Sequence, residues 1–193
     1  VLEELPGRTL EGWRYSGPFD HLPAEQHPGG WSEPSLRRLF ANIAESAVQA
    51  HRVILWEDVG EAEGTGIVHI APGCGAEDYQ LHKRYNLPVV APLDENGVYI
   101  DGFGALTGQH VAGVAGPIVE DLKARGIFYR LDAYSHRYPH CWRCDTPLVF
   151  RLVDEWFINM DGLRQPLMDV TNDIHWIPEY GRHRELDWLR NMH

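Results

Sequence analysis

His69 and Asp78 are the residues of this sequence whose types and spacing could do chemistry together. They lie towards the two ends of the run GTGIVHIAPGCGAEDY, residues 64–79. An ionised carboxylate anchors a cationic group or orients water, and a neutral imidazole lines a pocket or transfers protons. The alternative is structural: Asp78 would stabilise a helix N-terminus, and His69 would be a satisfied strand residue. The residues alone leave both interpretations open.

Cys141 and Cys144 form a C-x-x-C pair, the second candidate for chemistry. Two thiolates at this spacing fit one edge of a zinc tetrahedron. Four ligands are needed, and the sequence has no second C-x-x-C, although His136 and His140 lie close enough in sequence to assist. The pair therefore predicts half of a metal site. A zinc-dependent hydrolase stays an alternative that metal analysis would test.

Other catalytic patterns are not matched. The Gly-Thr-Gly and Gly-Cys-Gly pieces fit neither the Walker loop nor G-x-G-x-x-G within a complete βαβ unit. There is no G-x-S-x-G elbow, and Cys74 has no evident base that would activate it as a nucleophile. We therefore expect a mechanism without a covalent intermediate.

The residues around His69 and Asp78 predict a strand, a turn and a helix. Ile67, Val68 and Ile70 favour a short buried strand. The prolyl and glycyl residues at 72, 73 and 75 end that strand, and the acidic residues at 77 and 78 suit the first turn of a helix. Apolar and aromatic residues at helical spacing continue to Asn86, where we expect the helix to end.

The remaining pattern is that of a mixed α/β chain. Ser32 as N-cap and Pro34 in the first turn predict an amphipathic helix of about 15 residues over 32–48. Asn96-Gly97 predicts a tight turn. Further helices are predicted at 115–125, 161–170 and 181–192, and further strands at 52–58, 88–91, 128–134 and 148–158.

Composition narrows the class of protein. With 17 basic and 28 acidic residues the net charge is −11, which argues against binding nucleic acid by bulk charge but allows a local basic patch. No apolar run approaches the roughly 20 residues of a membrane span, and no signal pattern begins the chain. The three cysteines are an odd number that suits a reducing compartment. We expect a soluble, cytoplasmic protein with no membrane partner.

Three motifs together resemble isoleucyl-tRNA synthetases: GTGIVHIAPGCGAEDY at 64–79, YPHCWRCDTPL at 138–148 and EWFI at 155–158. The related valyl and leucyl enzymes share the Gly-Thr-Gly and the aspartate but usually differ at the histidine and the following Ala-Pro. The resemblance is strong over 52–160, fair over 161–193 and weak before 50.

The resemblance implies an α/β fold with a β-rich editing barrel and surrounding helices. Residues 1–135 would be the editing domain, with a helical insertion near 24–50. Residues 136–193 would be half of a zinc ribbon and the return towards the catalytic body. The implied activity is hydrolysis of the ester in mischarged valyl-tRNA for isoleucine. Discrimination by these very enzymes illustrates that one methylene is worth only about 1–3 kcal/mol, so a second site must destroy the smaller product.

Carried over by motif, Asp78 resembles the aspartate that anchors the α-ammonium of the mischarged amino acid, and His69 the histidine that borders its side-chain pocket. The other substrate-binding residues implied are Gly64, Thr65, Gly66, Ala71, Pro72, Gly73, Cys74 and Glu77. Editing would need no cofactor. Zinc at Cys141 and Cys144 would be expected only in the full-length parent, and ATP only in its synthetic domain.

The implied partners are the 3′ end of tRNA(Ile) with its valine and the rest of the parent synthetase, and we expect a monomer. The sequence lacks the family's threonine-rich pocket wall and its nucleotide-binding signatures, so we expect no amino-acid activation. A non-catalytic module that grips tRNA through Arg143, Arg151 and Arg182 is the main alternative, and the acidic balance weighs against it. A deacylation assay would discriminate between them.

Overall fold

The computed structural model describes residues 4–60, 64–133 and 135–192. The chain divides into two compact units, Val1–Asp154 and Glu155–His193. The boundary at 135/136 between the expected editing domain and the return segment stays a prediction. Among the described residues, no helix combines the length and the apolar character needed to cross a membrane.

The helices are α1 Pro23–Gln26, α2 Pro34–Arg37, α3 Ala47–Ala50, α4 Ala76–Tyr85, α5 Ala115–Ala124, α6 Met160–Asp173 and α7 Tyr180–Asn191.

The sheet of the described residues consists of two short parallel strands, β1 Gly30–Trp31 and β2 Val89–Val90. Gly30 pairs with Val89, and a Cβ at Gly30 would lie 2.0 Å from the Val89 carbonyl oxygen. Only glycine allows this close approach, because any side chain would overlap the partner backbone. The mixed helix-and-sheet class is confirmed, and so is a strand within 88–91. A closed barrel is not formed by the described residues, so the β-rich barrel is not confirmed.

The core of the first unit lies between β2 and the segment that precedes α3. Leu36, Phe40, Ile43 and Val89 are buried together, and Tyr79 packs against them. The single helix predicted over 32–48 is wrong: α2 is followed by a 3-10 turn at Arg38–Phe40, an irregular stretch and then α3. Of the apolar positions that predict this helix, 36, 40, 43 and 47 are buried, Val48 is half-buried and Leu39 is 52% exposed.

The helix over 32–48 is interrupted because a new helix start lies inside it. Ser46 caps α3: its hydroxyl accepts a hydrogen bond from the Gln49 N–H, and the Gln49 side chain accepts one from the Ser46 N–H. The predicted N-cap at Ser32 was wrong. Glu33 is the N-cap residue of α2, Pro34 occupies the first turn as predicted, and Ser32 is buried beneath it.

Four other strand predictions were wrong, because the residues at 52–58, 67–70, 128–133 and 148–158 form no strand in the described structure. Tyr134, at the end of one of them, lies outside the described residues. Ile67 is 69% exposed, so the strand expected before the glycine-rich turn is not buried. A β-rich composition indicates compatibility with a sheet, but a strand forms only where a neighbouring backbone supplies the ladder hydrogen bonds.

The predictions with local start and stop signals were confirmed. α4 ends at Asn86, whose φ of 52° is left-handed and whose N–H bonds to the His82 carbonyl. α5 is followed by Gly126 at φ +69°. At Asn96-Gly97 the Gly97 N–H donates to the Asp94 carbonyl, which closes the predicted tight turn.

The second unit is a pair of helices, α6 and α7, where the sequence predicts helices. Leu186 and Leu189 of α7 are buried, and so is Thr171 of α6. Arg164 of α6 donates from Nε to the Leu189 carbonyl at 3.0 Å. This bond ties the end of one helix to the side of the other.

Candidate functional site

The glycine-rich turn before α4 lies directly on β2. Gly73 is buried, and a Cβ at this position would lie 1.9 Å from the Val90 carbonyl oxygen. Within the turn, the Cys74 N–H donates to the Ala71 carbonyl at 2.9 Å. The turn is therefore set against the strand by backbone contact, which explains why a glycine stands at position 73.

Asp78 projects from the first turn of α4 back onto this turn. Its Oδ2 atom accepts a hydrogen bond from the Ala71 N–H at 3.2 Å. A Cβ built at Gly75 would lie 2.9 Å from the same oxygen, so the backbone of the turn approaches the carboxylate closely. Among the described residues, the Oδ1 atom has no hydrogen-bond partner and no cation pairs with the carboxylate. One oxygen is thus held and the other is left for a ligand.

His69 lies just upstream of the Asp78 contact. The residue is exposed, and its ring has no hydrogen-bond partner among the described residues. No hydrogen bond or ion pair joins His69 to Asp78; the two are connected through the backbone that leads from His69 to Ala71. His69 is therefore neither a strand residue nor a satisfied one, and its ring is free to border a pocket.

Cys74 lies near Asp78, and Tyr99 lies near Cys74. Cys74 is an exposed residue whose thiol is partly desolvated by its neighbours; this desolvation raises the pKa of Cys74, and the nearby Asp78 carboxylate raises it further. Burial also raises the pKa of Tyr99, with a smaller contribution from Cys74. A thiol held neutral at pH 7 suits a pocket wall rather than a nucleophile. Tyr99 was missed by sequence reasoning, since only the fold brings the residues after the Asn96-Gly97 turn beside Cys74.

The predicted pocket residues upstream of Gly73 fall into two groups. Ala71 and Pro72 are half-buried beside Gly73 in the turn. Gly64, Thr65 and Gly66 are exposed, and a Cβ at either glycine would meet nothing within 4 Å, so the described structure does not bring them to Asp78.

Glu77 faces away from the Asp78 contact. It lines a separate cavity of about 240 Å³ together with Gln80 and Leu81 of α4 and the residues 56–58. Arg84 at this cavity holds the Glu57 carboxylate with two hydrogen bonds, at 3.1 and 3.2 Å. Neighbouring helical positions point about 100° apart, which is why Glu77 and Asp78 do not share a pocket.

The C-x-x-C pair forms a small knuckle. The Cys141 N–H donates to the Thr146 carbonyl at 2.9 Å, and the Asp145 N–H donates back to the Cys141 carbonyl. The Thr146 hydroxyl, 3.2 Å from the Cys144 sulfur, lowers the pKa of Cys144. In the part of the chain that is described, no group of three or more His, Cys, Asp or Glu residues could hold a metal ion. The donors present fit half of a zinc site.

Comparison with known proteins gives a consistent result. The profile of the family "tRNA synthetases class I (I, L, M and V)" matches residues 25–193. Similar proteins include the isoleucine–tRNA ligase of Thermotoga maritima, 45% identical over 188 residues, which cover 95% of this chain and 18% of that protein. The corresponding ligase of Methanopyrus kandleri is 36% identical over 193 residues, covering 99% of the chain and 16% of the relative.

A third relative, isoleucine–tRNA ligase 2 of Pseudomonas fluorescens, is 38% identical over 192 residues, with 99% of the chain and 16% of that protein covered. The chain thus spans less than a fifth of the length of these relatives. The matched range contains residues 25–50, most of the segment that the sequence sets apart as a helical insertion.

Proposed function

The chain belongs to the class I tRNA synthetases of the isoleucine, leucine, methionine and valine group, and from this membership we propose that it carries the aspartate side of an editing site. The resemblance to isoleucyl-tRNA synthetases is confirmed by the relatives, which are all named isoleucine–tRNA ligases. The substrate of the proposed site is valyl-tRNA(Ile), and the reaction is hydrolysis of its aminoacyl ester.

The Asp78 carboxylate is the observation that supports this proposal most. Its Oδ2 is held by the Ala71 N–H, its Oδ1 is free, and no basic side chain of the described residues neutralises it. A carboxylate fixed in this way and left without a cation suits the α-ammonium of an aminoacyl ester. Such charge-assisted hydrogen bonds are about twice as strong as neutral ones and fix the geometry of the bound group.

Hydrolysis then follows from positioning. With the ammonium on Asp78, the adjacent ester carbonyl is held for attack by water. The carbonyl electron pair moves to its oxygen, and collapse of the tetrahedral intermediate breaks the bond to the ribose oxygen, which takes up the proton that water releases. A terminal ribose hydroxyl assists the attack. Valine and tRNA(Ile) leave, and no covalent enzyme intermediate forms.

The remaining roles belong to the same proposal. His69 borders the side-chain pocket and helps exclude isoleucine, while Gly73 and Cys74 form its wall. Hydrolysis uses no cofactor, whereas zinc and ATP serve other parts of a longer synthetase. The partners are tRNA(Ile) and the rest of that synthetase, and the protein acts as a cytoplasmic monomer.

Deacylation of valyl-tRNA(Ile) by the chain tests the proposal. We expect Asp78→Asn to slow hydrolysis by about 100-fold or to the uncatalysed rate, because the ammonium loses its charged partner. Asp101→Asn is the matched control, since Asp101 is exposed and its carboxylate makes no hydrogen bond among the described residues. Hydrolysis that continues unchanged in Asp78→Asn would contradict the proposal. Salt-sensitive tRNA binding without hydrolysis would instead indicate a docking module.

A further inference from the structure

A second cavity, of about 420 Å³, lies in the segment that leads from α1 to α3 and contains no residue of the Asp78 turn. Its lining has two arginines and no carboxylate, in a chain whose net charge is −11. Its volume lies within the range of about 300–1,000 Å³ that is typical of small-ligand sites. The lining residues are His27, Pro28, Gly29, Gly30, Ser32, Arg37, Arg38, Phe40, Ala41 and Ile43. We call this space the Arg37 cavity.

Arg37 is held in place by its own surroundings. Its guanidinium lies 4.4 Å from the centroid of the Trp31 ring, and its Nε donates to the Ser32 carbonyl at 2.9 Å. Trp31 is itself fixed, because its Nε1 donates to the Asp101 carbonyl. The two terminal nitrogens of Arg37 make no hydrogen bond to any described residue. A guanidinium fixed in this way presents a planar fork that matches the oxygens of a phosphate.

Arg38 adds a second cation that is available for exchange. It pairs with Asp154 at 3.2 Å, and the two side chains are 74% and 52% exposed. Exposed ion pairs contribute little, so an incoming phosphate can replace the carboxylate. Phe40 and Ile43 at the inner side of the cavity are buried in the core of the first unit, so the arginines, and not an apolar face, supply the groups that a ligand can reach.

We propose that the Arg37 cavity binds a backbone phosphate of tRNA through Arg37 and Arg38. The identity of the RNA rests on the proposed function, whereas the site lies apart from the Asp78 turn. In an acidic chain that repels RNA elsewhere, a carboxylate-free cavity with a fixed guanidinium gives the RNA strand a defined point of attachment.

Binding of fluorescently labelled, unacylated tRNA(Ile) to the chain tests the inference. We expect Arg37→Gln to weaken binding about tenfold and to reduce the slope of log affinity against log salt by about 1, as loss of one phosphate contact predicts. Arg37→Lys keeps the charge but loses the fork, so we expect an intermediate loss. Arg8→Gln is the control, because Arg8 is exposed and its side chain makes no hydrogen bond or ion pair to the described residues.

Circular dichroism and urea midpoints of all three variants show that the changes in affinity come from folded protein. Equal affinity of Arg37→Gln and the unmodified chain, or an equal loss in Arg8→Gln, would overturn the inference. Because the probe carries no amino acid, this outcome is independent of hydrolysis. If Asp78→Asn abolishes deacylation while Arg37→Gln binds tRNA normally, the editing proposal stands and this one falls. If Asp78→Asn leaves deacylation unchanged while Arg37→Gln weakens tRNA binding, this proposal stands and the editing proposal falls.

Discussion

At the scale of single residues, Asp78 differs from an ordinary acidic residue at a helix start. The N-cap of α4 is Gly75, and Asp78 bonds to the Ala71 N–H upstream rather than to a free N–H of its own helix. A purely structural carboxylate would stabilise the helix N-terminus, whereas this one also fixes the preceding turn. The residue therefore contributes to the structure and still has one oxygen open to a ligand.

The charge of Asp78 should be measurable through Cys74. Because the carboxylate contributes to the raised pKa of the thiol, Asp78→Asn should lower the pKa of Cys74 towards its ordinary value. The thiolate is the reactive form, so the pH profile of Cys74 alkylation by iodoacetamide should move to lower pH. Mass spectrometry of the Cys74 peptide measures the rate. Asp101→Asn should leave the profile unchanged, and an unchanged profile in Asp78→Asn would show that the two groups are not neighbours.

At the scale of elements, the site depends on three pieces that are distant in sequence. β2 supports the turn at Gly73, α4 carries Asp78, and the segment 36–43 packs against both through the core formed with Val89 and Tyr79. The segment that the sequence sets apart as an insertion is therefore one side of the core beneath the candidate site. Its burial also forms the Arg37 cavity.

The contact between the turn and β2 makes the stability of the chain sensitive to the residue at position 73. Gly73→Ala should destabilise the chain by about 1–3 kcal/mol, because the new Cβ overlaps the Val90 carbonyl. It should also slow deacylation, since the Ala71 N–H and Asp78 move with the turn. Urea denaturation measures the first effect.

Gly116→Ala in α5 is the matched control. A Cβ there would meet nothing within 4 Å, and alanine favours a helix, so we expect unchanged or slightly greater stability, by up to about 1 kcal/mol. Equal effects of the two substitutions would show that the turn does not rest on β2.

At the scale of the whole molecule, acidity shapes both ligand binding and stability. The net charge of −11 restricts RNA contact to local sites. In so acidic a chain, some carboxylates also lie close to one another. Glu25 of α1 is half-buried, and burial raises its pKa, with a further increase from Asp20. Burial raises the pKa of Tyr15, and the Asp20 and Glu25 carboxylates raise it further.

Glu25 should make stability depend on pH. Because its pKa is raised on folding, the unfolded chain loses the proton first, and stability falls as pH rises from 4.5 through the folded value. Glu25→Gln removes this loss, so the variant should be more stable than the unmodified chain at pH 7 and no different near pH 4. Urea midpoints at both pH values measure it. The exposed Glu95→Gln is the control, and an equal gain at both pH values would contradict the assignment.

The sequence alone predicts those elements whose start and stop signals lie within the element itself. The helices α4 to α7 and the Asn96-Gly97 turn follow from capping residues, glycines and apolar spacing within the segment itself. The family resemblance was also readable, because GTGIVHIAPGCGAEDY is a contiguous motif. Asp78 and His69 as site residues stay a prediction, and the sequence did not show that Asp78 bonds to the backbone of Ala71.

Tertiary structure decided everything that depends on a partner from elsewhere in the chain. The segment expected as a strand at 52–58 pairs only at its start, through the antiparallel bridge between Arg14 and Arg52, and the segment at 67–70 pairs with no described strand. Three contacts join parts of the chain whose approach the periodicity of the sequence does not predict. They are Tyr99 beside Cys74, Gly73 against Val90 and the guanidinium of Arg37 over Trp31. The sequence indicated His69 and Asp78 as candidates by residue type, whereas only the packing of the turn on β2 brought the Ala71 N–H to the Asp78 carboxylate, because that contact depends on a strand from elsewhere in the chain.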